Sequence, residues 1–279
     1  MKKKILITGG HGHLGSEIYK ILNKKFICRK VDRHLLKKKN NLKFYDYVKK
    51  ISPNIIINCA AIVGLKLAES NKKLTKEINS DLPKNLAIFS RKLKIHLIHI
   101  STHSVFDGYR SKISFNEDIK PKPMSFYGKT KYLGEKNIIL KSQIYTILRL
   151  PYLFSNNLKF NSNVLKKIFN DINKGSITIT KKEVSSLAST DKVAKAINDI
   201  IINKSIGIYH YADQGFFNWL YLINYISKKM NKRLIIRKKI EKLKKTFNTS
   251  LSSNFTFYGY SNWQYNIDKI IKKTNNLKK

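Results

Sequence analysis

Short apolar runs alternate along this chain with longer stretches whose apolar side chains recur every three or four positions. Residues 4–8 (KILIT) form a run that stops at a glycine pair, which predicts a buried strand. Leu14, Ile18, Ile21 and Leu22 then follow at helical spacing. Similar runs at 26–31, 54–59 (NIIINC), 95–100 (IHLIHI) and 144–149 (IYTILR) predict further strands, and 74–93 and 125–140 read as helices between them. Strand and helix repeated in this way predict an α/β fold: right-handed βαβ units forming a doubly wound parallel sheet with helices on both faces.

After Pro151 the rhythm changes. Residues 164–172 and 191–202 read as helices, 206–211 as a strand and 234–237 as a short strand. Trp219, Ile223, Ile226 and Met230 share one face of another helix. The part is too short for a second sheet fold. The predicted organisation is a main α/β domain over 1–155 with 184–205 packing back onto it. A smaller C-terminal α/β lobe would take 156–183 and 206–279.

A length of 279 residues with 42% hydrophobic and 11% aromatic residues supports a sizeable core and excludes wholesale disorder. No apolar run approaches the roughly 20 residues that span a bilayer. The basic start ahead of Ile5 ends in Thr8-Gly9-Gly10 too soon for a secretory apolar region. The two cysteines, Cys28 and Cys59, exclude a disulfide scaffold and a cysteine-based zinc site, and a cytoplasmic setting is expected. A net charge of +39 first suggests a polyanion partner. Only seven of the basic residues are arginines, however, and the 49 lysines are spread over the whole chain. Compositional drift is the preferred reading, with no nucleic-acid partner expected.

Glycines at 9, 12 and 15 in Thr8–Gly15 (TGGHGHLG) follow a strand and open a helix, the context of a phosphate-cradling turn. His11 and His13 read as solvent- or cofactor-facing residues, and no metal site is expected. Asp32, at the end of the second strand, suits ribose hydroxyls and favours NAD. Arg33 beside it suits a 2′-phosphate and favours NADP, so the cofactor choice stays open.

Tyr127 and Lys131 stand four residues apart on one helix face. A neighbouring cation favours the ionised phenol and is expected to bring its pKa toward working pH. Ser101 or Thr102, after the strand at 95–100, could supply a hydroxyl to polarise a substrate oxygen.

With these residues in hand, the sequence resembles an extended short-chain dehydrogenase/reductase, and within that family the dTDP-4-dehydrorhamnose reductase branch. By that resemblance 1–155 would be a Rossmann-type dinucleotide-binding domain and 156–183 with 206–279 a substrate-binding lobe. The resemblance rests on TGGHGHLG, Val31-Asp32-Arg33, 53–61 (PNIIINCAA), 101–108 (STHSVFDG), Phe115 to Glu135 with its Tyr127-Gly128-x-x-Lys131, and Gly207–Tyr211. It implies reduction of the 4-keto group of a nucleotide-activated deoxysugar with NAD or NADP, a step of polysaccharide biosynthesis. Tyr127 would donate the proton, Lys131 would hold the nicotinamide ribose and tune Tyr127, and Thr102 would hydrogen-bond the reacting oxygen. Gly9, Gly12, His13, Leu14, Gly15, Asp32, Arg33, Ala60, Ala61 and Asn79 would line the cofactor. His103, Val105, Phe106 and Tyr152 are candidate substrate contacts, and Arg91 and Arg110 are candidates for the diphosphate.

The chain departs from the branch in three places. His103-Ser104 replaces an Asp-Tyr pair, Phe154-Ser155 a Tyr-Gly pair, and Ser185–Ser189 a proline-threonine segment. These departures bear on the sugar more than on the reaction. The alternatives are a 4-epimerase that retains NAD, a non-catalytic dinucleotide-binding regulatory subunit, and a nucleic-acid binder. A dehydratase is disfavoured, because an Asp-Glu pair after the threonine is lacking. The sequence leaves the oligomeric state open, a homodimer among the candidates.

Overall fold

In the computed structural model, residues 2–109, 113–179, 183–238, 247–257 and 261–276 are described. In chain order the elements begin β1 (Lys4–Thr8), α1 (His13–Leu22), β2 (Ile27–Lys30), α2 (Asn41–Ile51), β3 (Ile55–Asn58), α3 (Leu65–Ser70) and α4 (Lys72–Lys76). They continue with α5 (Leu82–Leu93), β4 (His96–Thr102), α6 (Phe126–Lys141), β5 (Tyr145–Leu150), β6 (Tyr152–Phe154) and α7 (Val164–Asn173). Next come β7 (Ser176–Ile179), β8 (Glu183–Ser185), β9 (Leu187–Ser189), α8 (Thr190–Asn203) and β10 (Gly207–His210). The chain closes with β11 (Phe217–Asn218), α9 (Trp219–Lys229), β12 (Ile235–Lys238), β13 (Phe247–Asn248) and α10 (Trp263–Asn276).

Six parallel strands make the main sheet in the order β10-β5-β4-β3-β1-β2. Each central strand is apolar on both sides because helices cover both faces. Ile5, Ile7, Ile57 and Ile98 pack under α1 and α8, whereas Leu6, Ile56, Leu97 and Ile147 pack under α2, α5 and α6. The alternation follows from the two-residue period of a strand. The chain leaves β1 toward β2 on one side and returns to β3 on the other. That reversal opens a crevice at the carboxyl ends of β1 and β3, where such sheets bind ligands.

The stretch at 74–93 read as one helix is continuous but irregular. A π-turn at Glu77–Asp81 joins α4 to α5 and carries Asn79 at its centre. Single π-turns inside α-helices recur at functional sites.

Segment 184–205 contributes α8, whose Val193, Ala194, Ile197 and Ile201 pack against α1 and the first sheet. The boundary set at 206 moves: Gly207–His210 pairs in parallel with β5 and completes the first sheet, so the lobe regains the chain only afterwards. The lobe has its own core of Phe154, Leu165, Phe169, Leu222, Ile226 and Trp263, from α7, α9, α10 and short strands. No described helix is long and apolar enough to cross a membrane.

Candidate active site

The glycine turn forms the floor of the crevice. Gly9 has φ +66°, a left-handed conformation that glycine adopts without penalty. A Cβ on Gly9 would lie 2.7 Å from the Ala60 nitrogen, so the loop after β1 sits directly against the loop after β3. At Gly15 a Cβ would come within 2.3 Å of the Gly9 carbonyl oxygen, which is how α1 starts so close to β1. Gly12 is the residue before α1, and helix starts carry free N–H groups and positive dipole.

His13, the first residue of α1, is buried, and its Nε2 lies 2.8 Å from Oγ of Ser155, the residue after β6. Burial lowers its pKa to about 4, and its Nδ1 has no hydrogen-bond partner. A cradle that only glycine fits, a helix start aimed into it and an orphaned buried nitrogen together suit a dinucleotide pyrophosphate. Asp32 and Arg33 are both exposed at the end of β2, at the rim of the same crevice.

The second half of the site is built around α6. Asp107 accepts the backbone N–H groups of Met124, at 2.5 Å, and Ser125, at 3.2 Å, fixing the approach to the helix. Ser125 then caps it by accepting the Gly128 N–H at 3.0 Å. A Cβ on Gly128 would meet the Ser104 carbonyl oxygen at 2.3 Å. The tyrosine is therefore followed by glycine, and the start of α6 lies against the turn after β4.

That contact brings Tyr127 to Thr102. Both are buried, at 9% and 6% exposure, and their side chains hydrogen-bond. Thr102 Oγ1 also accepts the Ser104 N–H at 3.1 Å. Lys131, one turn further along α6, is 2% exposed, and its Nζ donates to the Ile100 carbonyl oxygen at 2.7 Å. Burial lowers its pKa to about 8, against the attraction of Glu135.

The phenol does not behave as expected from its neighbour. Burial raises the Tyr127 pKa to about 12, and the hydrogen bond from Thr102 only partly opposes this. The reason is geometric: the Lys131 Nζ is turned toward β4 and held by backbone there.

Several other candidates occupy different places from those expected. Asn79 is fully buried, with Oδ1 accepting the Ile62 N–H at 2.9 Å and Nδ2 donating to the Ile62 carbonyl at 3.1 Å. It orders the loop that carries Ala60 and Ala61 rather than offering an amide to a ligand. Val105 and Phe106 are fully buried; Phe106 stacks on Phe115 at 4.7 Å, so both back the wall of the site. Arg91 is exposed near the end of α5, where it lines a surface cleft with Ile88, Lys92, Lys141 and Gln143. This cleft lies where α6 ends and β4 begins, at the opposite end of the sheet from Thr102, so a diphosphate role for Arg91 does not fit. Arg110 lies outside the described residues.

His103 and Tyr152 do come together. Their rings are 4.8 Å apart, His103 Nδ1 is 3.3 Å from the Leu150 carbonyl oxygen, and the Tyr152 hydroxyl donates to Glu183 at 3.0 Å. Glu183 also receives Trp219 Nε1 at 3.3 Å and the Thr249 hydroxyl. Glu183 and Thr249 escaped the sequence reading, and Trp219 was read only as part of a helix face, because no local spacing links residues so far apart. Two polar residues inside apolar strands, Asn58 and His99, were the signal overlooked: each is buried in the sheet beneath Lys131.

A doubly wound sheet with this glycine turn and a buried Thr-Tyr-Lys group defines an extended short-chain dehydrogenase/reductase, the class of NAD(P)-dependent oxidoreductases. Within that class the chain belongs to the RmlD substrate binding domain family, whose profile matches residues 2–270. It is 26% identical over 225 residues to a dTDP-4-dehydrorhamnose reductase of Aggregatibacter actinomycetemcomitans, covering 77% of this chain and 75% of that one. A dTDP-4-dehydrorhamnose reductase of Bacillus anthracis, solved in complex with NADP, superposes with a TM-score of 0.88 at 25% identity. That match covers 98% of this chain and 100% of the other. The chain is also 26% identical over 178 residues to the methionine adenosyltransferase 2 subunit beta of Xenopus laevis, covering 61% of this chain and 53% of that protein.

Proposed function

We propose that the chain reduces the 4-keto group of a nucleotide-activated deoxysugar with NADPH or NADH, Tyr127 serving as the proton donor. The observation that carries this reading is the meeting of Tyr127, Thr102 and Lys131 at the carboxyl end of β4, beside the crevice floored by Gly9, Gly12 and Gly15. The relatives named as dTDP-4-dehydrorhamnose reductases and the NADP held by the Bacillus anthracis structure support it.

The dinucleotide, when bound, supplies hydride to the carbonyl carbon. Gly9, Gly12, His13, Leu14 and Gly15 would hold its pyrophosphate, with Ala60 and Ala61 beside them and Asp32 and Arg33 at its adenosine end. Tyr127, with its pKa raised to about 12, stays protonated at neutral pH, the form a proton donor needs. Thr102 positions the phenol through their hydrogen bond. Lys131 donates to ribose and, once charged, stabilises the tyrosinate left after proton transfer. His103 and Tyr152 bound the sugar side, where a tilted ring pair stands in place of the acidic residue of the branch.

The test is a panel of nucleotide 4-keto sugars, with oxidation of the reduced nicotinamide followed by absorbance. Tyr127→Phe is expected to lower turnover at least about 1,000-fold while cofactor still binds. Retained turnover would remove Tyr127 as the acid. The relative that is a subunit of another enzyme favours a second reading, a non-catalytic dinucleotide-binding regulatory subunit. Cofactor binding without turnover of any panel member would support that reading instead.

A further inference from the structure

Four buried polar side chains form a line from β1 to α6. Thr8 Oγ1 donates to Asn58 Oδ1 at 2.6 Å, Asn58 Nδ2 lies 2.9 Å from His99 Nδ1, and His99 Nε2 lies 3.2 Å from Lys131 Nζ. Their exposures are 0%, 1%, 0% and 2%. Nothing in the reaction scheme above uses Asn58 or His99.

The proton positions along this line follow from one backbone group. The Ala60 N–H also points at Asn58 Oδ1, at 3.3 Å. A backbone N–H can only donate, so the atom facing it is the amide oxygen and the atom facing His99 is the amide nitrogen. Nδ1 of His99 must then accept. A neutral imidazole whose Nδ1 accepts carries its proton on Nε2, the nitrogen aimed at Lys131. His99 is neutral, since burial holds its pKa well below the ordinary histidine value.

An ammonium group has no lone pair to receive that Nε2–H, whereas a neutral amine has one. We propose that His99, with its tautomer fixed by Asn58, is a positioning residue that lowers the proton affinity of Lys131 and so sets the alkaline limit of the reaction. Charging Lys131 requires His99 to move its proton to Nδ1 and Asn58 to turn its amide. The Ala60 N–H then loses its acceptor in the loop that abuts Gly9, so the charge on Lys131 is linked to the order of the cofactor turn.

The other groups facing Lys131 do not cancel this effect. Glu135, one turn on along α6, already accepts Arg149 of β5 and the Ser101 hydroxyl of β4. The Cys59 thiol beyond β3 is pushed up to about 12 by burial and is uncharged. Tyr127, one turn earlier, is a neutral phenol. Burial acts in the same direction, lowering the Lys131 pKa to about 8.

Nitrogen-15 spectra of the histidine-labelled full chain, without cofactor or substrate, read the tautomer directly. His99→Gln assigns the His99 signals. The expected result is the Nε2–H tautomer at about pH 9.5, with ring shifts that titrate on acidification as Lys131 charges, a titration absent from Lys131→Met. An Nδ1–H tautomer at that pH overturns the proposal.

The kinetic arm rests on the proposed reductase reading. The side-chain oxygen of Gln in His99→Gln can accept from an ammonium, so the alkaline limb of kcat/KM is expected to move upward by about one pH unit. An unmoved limb overturns the proposal. Failure of the wild-type chain to reduce any 4-keto sugar would instead remove the reductase reading, with the tautomer result standing on its own.

Discussion

Arg149 Nη2 donates to Glu135 Oε2 at 2.8 Å, with side chains only 2% and 0% exposed. The pair joins β5 to α6 directly beneath the site, since Glu135 also accepts the hydroxyl of Ser101, the residue before Thr102. His210 Nε2, 3.3 Å from Arg149 Nη1, extends the contact to β10. Breaking a buried ion pair from one side leaves an uncompensated charge, at a cost of about 3–5 kcal/mol. Glu135→Leu and Arg149→Met are each expected to lose that much in denaturant unfolding, and the double variant less than either. A double variant at the sum of the singles would show that the pair acts as two independent anchors.

Glycine turns separate fold from binding at Gly15 and Gly12. In Gly15→Ala the new Cβ would sit 2.3 Å from the Gly9 carbonyl oxygen, so backbone must shift. In Gly12→Ala the only close atom is that same oxygen at 3.2 Å, a contact that a small adjustment relieves. Gly15→Ala is expected to lower Tm by several degrees, whereas Gly12→Ala leaves Tm nearly unchanged and weakens NADPH binding at least about 10-fold. Calorimetry and cofactor titration on the two variants check both halves.

The sheet was legible because β1, β3 and β4 are apolar runs bounded by turn residues, and the parallel order followed from the helices between them. The π-turn at Asn79 was not legible, because an extra residue in a helical turn leaves the apolar spacing of Leu82, Leu86 and Phe89 untouched. α6 is the instructive case. Its buried stripe includes Tyr127, Lys131 and Glu135, polar residues at four-residue spacing, so hydropathy gives that helix no inward face. Chemistry revealed the first two, while Glu135 needed its partners from β4 and β5, which only the tertiary fold supplies. The exchange of Gly207–His210 from lobe to sheet has a similar origin: its strand propensity is clear, but its partner β5 lies 61 residues upstream, Gly207 pairing with Thr146 and His210 with Arg149.

The buried Lys131 is a burden on the fold. Its pKa drops from 10.5 to about 8 in the native state, so the unfolded chain binds more protons between those values. Stability therefore rises with pH across that window, and the penalty is complete below it. It amounts to at most about 3 kcal/mol. Lys131→Met is expected to raise Tm at pH 7 while abolishing turnover, and its stability is expected to be flatter than the wild type's from about pH 8 to pH 10.5. A variant less stable than the wild type at pH 7 would mean that the bond to Ile100 outweighs the burial cost.

Asp213 is a second buried group whose protonation bears on stability. It lies where the lobe meets the first domain, accepting Asn266 Nδ2 of α10 at 2.7 Å and the Ser189 N–H of β9 at 3.3 Å on Oδ2. Its Oδ1 accepts the Tyr211 hydroxyl at 3.4 Å. Burial raises its pKa from 3.8 to about 7, and the nearby Asp191 adds to the rise. The native state then holds a proton that the unfolded chain has released, so this group makes stability fall as pH rises from about 4 to 7. Asp213→Asn keeps an oxygen for Asn266 and Ser189 and turns its amide nitrogen to the Tyr211 oxygen. The variant is expected to gain Tm at pH 8, by an amount that shrinks toward pH 4, in thermal unfolding followed across that range. An equal change at both pH values would show that packing, rather than the proton, decides the effect.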